Sequence, residues 1–194
     1  MKLLIIGASG YLGNTIYKKL KEFTNDDICG TCCNSSNHEL LQINVLNRSN
    51  IKKLLSLKPD IIIWSIMDTK QEMLLSQIGM NEIVNNISKD VRLIYISTTV
   101  GKGKDQTESV IPYRRMPDEY LSQYVNGKIE GEIIVKKHPN YVIIRPDSIY
   151  GYDYDGKMDS RMKGLLRFQK QVKIIQEQQI CMLVLLMYKA LQMQ

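Results

Sequence analysis

The sequence has no apolar run long enough to cross a bilayer: its longest late stretch, residues 180–187, falls far short of the ~20 residues that a spanning helix needs. No membrane segment is expected. A secretory leader is not expected either, because Lys2 is followed by only four apolar residues, 3–6, before Gly7. Aromatic residues make up 7% of the chain, and the net charge of +6 is scattered over 18–21, 102–104, Arg114-Arg115 and 161–173 without interleaved aromatics. That pattern excludes a groove for single-stranded nucleic acid. Histidine is nearly absent, and the four cysteines lack metal spacing: Cys29, Cys32 and Cys33 cluster, Cys181 stands alone, and His38 is the only nearby candidate ligand. The expectation is reduced thiols in a cytoplasmic protein and no metal site. Internal repeats and low-complexity linkers are also missing.

What the chain does have is glycine in a particular place. With 44% hydrophobic content over 194 residues it can bury the core of one ordinary domain. Its first apolar run, residues 2–6, has strand length and leads into Gly7-Ala8-Ser9-Gly10-Tyr11-Leu12-Gly13. Beyond that, Leu12, Ile16 and Leu20 recur at helical spacing through residue 23. A strand that passes through glycines into a helix is the context of a phosphate-binding turn. Gly7 permits the tight turn, Gly10 lets backbone approach a pyrophosphate, and Gly13 allows close packing, with the helix N-terminus facing the negative charge.

Strands and helices alternate through the first two thirds of the chain. Strands are expected over 28–34, 41–45, 61–64, 91–97 and 141–145, and helices over 51–57, 71–88 and 120–136. Residues 61–64 are continuously apolar, as in a strand covered on both faces. Such alternation predicts a doubly wound parallel α/β sheet, a Rossmann-like NAD(P)-binding domain with helices on both faces. On the helix 120–136, Tyr124 and Lys128 share one face, so the lysine ammonium can lower the pKa of the phenol. A phenol near pKa ~10 is a poor acid-base catalyst at neutral pH until a cation stabilises its phenolate.

Taken together, these residues resemble the extended short-chain dehydrogenase/reductase superfamily, in its nucleotide-sugar epimerase and dehydratase branch, with particular likeness to the dTDP-4-dehydrorhamnose reductases. Gly30-Thr31, Tyr95-Ile96-Ser97-Thr98, Tyr124 to Lys128 continuing to Gly131-Glu132, and Ile144-Arg145-Pro146 followed by Tyr150-Gly151 carry the resemblance in family order. It implies that Tyr124 transfers the proton, Lys128 lowers its pKa and holds the nicotinamide ribose, and Thr98 positions the carbonyl, with Ser97 and Thr99 as neighbouring alternatives. It further implies a cofactor held by Gly7, Ser9, Gly10, Tyr11, Leu12 and Gly13 at the turn, by Asn34 and Ser35 after the second strand, and by Ser65, Lys128 and Pro146. An acidic residue after the second strand would bind the ribose 2′-hydroxyl of NAD. The neutral run Asn34-Ser35-Ser36-Asn37 leans instead to NADP, although no arginine stands there to pair with a 2′-phosphate. The implied substrate is a small molecule, a nucleotide-linked sugar, and the superfamily's dimers suggest a homodimer formed through helices that here include 120–136.

The chain departs from the family at three places. Trp64-Ser65-Ile66-Met67-Asp68 replaces an Asn-Ala-Ala segment, and Asn44 stands where an aspartate near the adenine is common. The third is the end: the dinucleotide domain is expected over 1–166, the substrate lobe reads as largely missing, and 167–194 reads as an atypical helical tail. With A/T-rich codons, a shifted frame over 180–194 can encode a Thr-Tyr-Val…Leu-Ala segment like the family's own, so the tail reads either as a frameshifted remnant or as a genuine helical tail over 160–194 that packs on the sheet or a partner. Two functions follow from these features, an NAD(P)-dependent reductase or epimerase and, alternatively, a catalytically weak or inactive dinucleotide-binding protein.

Overall fold

A computed structural model of the chain describes residues 1–34, 38–102, 107–159 and 162–163. The expected tail 167–194 and Ser35 lie outside the described residues. Six parallel strands, β1 (Lys2–Ile6), β2 (Asp27–Cys32), β3 (Leu41–Gln42), β4 (Ile61–Trp64), β5 (Arg92–Ile96) and β6 (Tyr141–Ile144), form one sheet in the order β3-β2-β1-β4-β5-β6. Between them lie α1 (Tyr11–Phe23), α2 (Arg48–Leu55), α3 (Glu72–Leu74), which runs through a π-helical stretch (Leu75–Met80) into α4 (Asn81–Asn86), and α5 (Ser122–Val135). This is the doubly wound architecture expected from the alternation.

The sheet is buried on both faces, which explains its uninterrupted apolar strands. Leu3, Ile5, Ile61, Ile63, Ile94 and Ile96 pack with Ile16, Tyr17 and Leu20 of α1. Their neighbours Leu4, Ile6, Ile62, Trp64, Leu93 and Tyr95 pack on the other face with Ile51 and Leu54 of α2, Ile83 of α4, and Ile134 and Val135 of α5. The period-2 geometry of a strand thus divides each run between two cores.

Several boundaries differ from expectation for local reasons. β2 stops at Cys32, and Cys33 and Asn34 turn out to the surface. α2 starts earlier than residue 51 because the Asn47 side chain caps it, accepting from Ser49 N at 3.0 Å. The single helix expected over 71–88 is three pieces joined by the π-helical turn. After β6 the chain doubles back in a turn bridged between Tyr152 and Met158 and rests on α1, where Asn14 Nδ2 donates to Asp155 Oδ2 at 2.7 Å and Tyr154 N donates to Thr15 Oγ1 at 3.2 Å. No helix among the described residues is long and apolar enough to cross a membrane.

Candidate functional site

Strand order reverses between β1 and β4, and in such sheets the crevice beyond the carboxyl ends of the strands at that point takes ligands. The glycine turn sits there. Gly7 has φ 92°, a conformation costly for any side chain with a Cβ, and its N–H donates to Thr31 Oγ1 at 3.2 Å while Ala8 N donates to Thr31 O at 2.8 Å. Thr31 therefore ties the turn to β2. Gly13 brings α1 down onto the turn: a Cβ there would lie 2.1 Å from Gly7 O and 2.6 Å from Ser65 Oγ. Ser65 itself donates to Ile6 O at 3.0 Å, so its hydroxyl fastens β4 to the turn.

This cradle fits a dinucleotide phosphate. No side chain caps the N-terminus of α1, no acidic residue stands in its first turn, and Ser9 and Gly10 are exposed. A Cβ at Gly10 would meet nothing closer than Gly7 O at 3.4 Å, so the space in front of the turn is open. Tyr11 and Leu12 are half-buried and pack against the α1-side core. Asn34 is exposed just past β2, whereas Asn44 forms a local turn, its Oδ1 accepting from Leu46 N at 2.9 Å.

Tyr124, Asn126, Gly127 and Lys128 have distinct structural tasks. Tyr124 is half-buried against Val100, Val125 and Ile129. Asn126 clamps the preceding loop, accepting from Arg115 N at 2.8 Å and donating to Arg115 O at 2.9 Å. Gly127 admits α3, and Lys128 runs inward to the sheet. The Lys128 ammonium donates to Ile66 O, beyond β4, at 2.7 Å and to Ile96 O, at the end of β5, at 3.1 Å. It also ion-pairs with Glu72 Oε1 at 2.9 Å. Its Nζ stands 5.9 Å from the centre of the Tyr124 ring and 5.1 Å from that of Tyr95. Ile66 lies just past β4, and its backbone carbonyl, not its side chain, is what the lysine uses. Burial pushes the Lys128 pKa down, opposed by the Glu72 charge; burial likewise pushes Glu72 up, opposed by Lys128.

Thr98 is half-buried just past β5, and Pro146 is half-buried just past β6, so both lie along the same carboxyl edge. Of the two alternatives to Thr98, Ser97 is already engaged: its Oγ donates to Glu132 Oε1 at 2.7 Å. Arg145 closes that cluster, its Nε donating to Glu132 Oε1 at 2.8 Å and its Nη2 to Glu132 Oε2 at 2.6 Å. Ser97, Glu132 and Arg145 were legible as landmarks of a resemblance, but not as one buried network joining β5, α5 and β6. Glu72 was missed altogether, since an acidic residue near a helix start reads as solvated. The available hint was Gly127 and Gly131 at helical spacing, which marks a close approach by another element. A separate cavity of about 630 Å³ opens between Pro59, Asp60, Arg92 and Asn140, at the amino ends of the strands and away from this site.

Solved structures share this fold. The dTDP-4-dehydrorhamnose reductase of Clostridium acetobutylicum is 24% identical with a TM-score of 0.67, the match covering 99% of this chain and 70% of that one. The dTDP-4-dehydrorhamnose reductase of Yersinia enterocolitica is 25% identical with a TM-score of 0.64, covering 87% and 59%. Bordetella bronchiseptica WbmH, solved with NAD+, is 20% identical with a TM-score of 0.61, covering 78% and 57%. The chain thus spans little more than half the length of the last two. No curated protein matches it by sequence. The fold these structures share is a doubly wound, Rossmann-like α/β fold. Within that fold class, the family described as the RmlD substrate binding domain matches residues 1–181, and the chain belongs to it.

Proposed function

We propose that the chain binds NADP(H) at the glycine turn and acts as an oxidoreductase or epimerase on a nucleotide-linked sugar. The observation that carries this reading is the meeting of Lys128 with the ends of β4 and β5, which sets Tyr124 and Lys128 beside the switch point that holds the turn. In this reading Gly7, Ser9, Gly10, Tyr11, Leu12, Gly13 and Ser65 build the pyrophosphate side of the site. Asn34 and Ser35 meet the adenosine ribose, where the lack of an acidic side chain at Asn34 favours the 2′-phosphate. Lys128 and Pro146 border the nicotinamide end. Bound nicotinamide supplies hydride exchange with a sugar carbon. The chain's own part is proton transfer by Tyr124 at the sugar oxygen, with positive charge from Lys128 favouring the phenolate and the Thr98 hydroxyl orienting the carbonyl.

Replacing Tyr124 by Phe removes one oxygen and leaves the ring in its apolar nest. Turnover should fall by about 10²–10⁴-fold, the usual share of a general acid-base group, while NADPH affinity stays within about twofold. Full turnover in Tyr124→Phe would remove the tyrosine from the mechanism. A second reading, a dinucleotide-binding protein with little turnover, has the same glycine turn and the same sheet. It is distinguished by NADPH binding without reduction of any nucleotide sugar.

A further inference from the structure

An ammonium has three donors, and Lys128 directs all of them inside the protein. Ile66 O and Ile96 O each accept from it, and Glu72 Oε1 lies 2.9 Å from the nitrogen as an ion pair. Lys128 is 1% exposed and Glu72 0%, so both charges of this pair have left water, the costliest setting for an ion pair. Its surroundings are built to hold it. The second oxygen of Glu72 accepts from Asp68 N at 2.9 Å. On α5, the missing side chain of Gly127 makes room for it: a Cβ there would lie 2.6 Å from the Glu72 carbonyl carbon and 2.7 Å from Glu72 Cβ. Ser76, from the π-helical stretch, donates to Gly127 O at 2.8 Å and locks the two elements together.

The groups that face the ammonium come from three elements: Glu72 of α3, the Tyr95 ring of β5 and the Tyr124 ring of α5. Tyr95 is neutral, because burial pushes its phenol far above the usual range. Asp68 meets the pair only through Glu72, and Glu132, one turn along α5, is engaged by Arg145 and Ser97. Among the described residues, Glu72 is the carboxylate that compensates Lys128.

We propose that Glu72 is a positioning residue for the dyad, its carboxylate keeping Lys128 charged and fixed beside Tyr124 before any ligand arrives; this rests on Tyr124 and Lys128 being the proton-transfer pair. The test is the titration of Lys128 in the cofactor-free full chain, followed by carbon-13 NMR of labelled lysine side chains, with the resonance assigned by its loss in Lys128→Met. In Glu72→Gln, Lys128 should lose its proton about one pH unit or more below the parent chain, as removal of an adjoining opposite charge requires. The pH profile of turnover should move in the same sense, and Glu72→Asp should recover most of the difference. An unmoved Lys128 titration in folded Glu72→Gln overturns the proposal. Where Glu72→Gln does not fold, Glu72→Asp carries the test: a smaller downward shift supports it and an unchanged titration overturns it. Failure of the dyad reading shows elsewhere, as full turnover in Tyr124→Phe, so an unmoved Lys128 beside an inactive Tyr124→Phe overturns the role of Glu72 alone.

Discussion

Gly10 and Gly13 stand one helical turn apart and should fail differently. A side chain at Gly13 must displace backbone, because its Cβ would lie 2.1 Å from Gly7 O; a side chain at Gly10 enters open space. Gly13→Val is therefore expected to lose stability by about 1–3 kcal/mol or more, and NADPH binding with it. Gly10→Val should melt like the parent chain yet lose most of its NADPH affinity, because the new methyls occupy the path of the phosphate. Thermal melts and fluorescence titrations of both variants separate the cases, and unaltered binding in Gly10→Val would reduce the motif to a turn. The thiols of and beside β2 offer an independent check of the strand. Cys33 is exposed, Cys29 half-buried with its pKa pushed up by burial, and Cys32 2% exposed. Since the thiolate reacts, alkylation followed by mass spectrometry should label Cys33 first, Cys29 next and Cys32 last.

Between elements, the contact that matters most to the site is α3 on α5. Gly127→Ala would push a methyl to 2.6 Å from the Glu72 carbonyl carbon and Met73 N, both backbone atoms that cannot rotate aside. A loss of about 1–3 kcal/mol is expected in denaturant melts, together with a disturbed Lys128 resonance. A parent-like melt would mean that α3 is free to shift. This is also the scale at which the sequence stopped being legible. β1, α1 and β4 could be read with their ends because local signals agree: apolar runs bounded by glycine, proline or a change of period. The Tyr124/Lys128 face could be read because both residues lie on one helix. Glu72 could not, because its partner is on another helix and its own neighbours resemble a solvated helix start. Glu132 and Arg145 were visible separately, but their pairing depends on β6 lying beside β5, a fact of topology. The π-helical turn likewise left no local mark that distinguishes it from α-helix.

For the whole molecule, the decisive feature is where the strand order reverses. The glycine turn after β1, Ser65 and Ile66 after β4, Thr98 after β5 and Pro146 after β6 all lie on one edge of the sheet, and Lys128 reaches it from α5. Residues scattered from 7 to 146 are thereby brought to one edge, as a parallel sheet with crossovers on both faces requires. A ligand there should stabilise the entire fold, since it binds only the folded state; at a hundred times its Kd the gain is about 2.7 kcal/mol. The measurement that bears most directly on the central claim is a titration of the 194-residue chain with NADPH and NADH, followed by nicotinamide fluorescence and by melting temperature. Saturable binding that is tighter for NADPH, with a rise in melting temperature, is the expected result; a folded chain that binds neither would contradict the account.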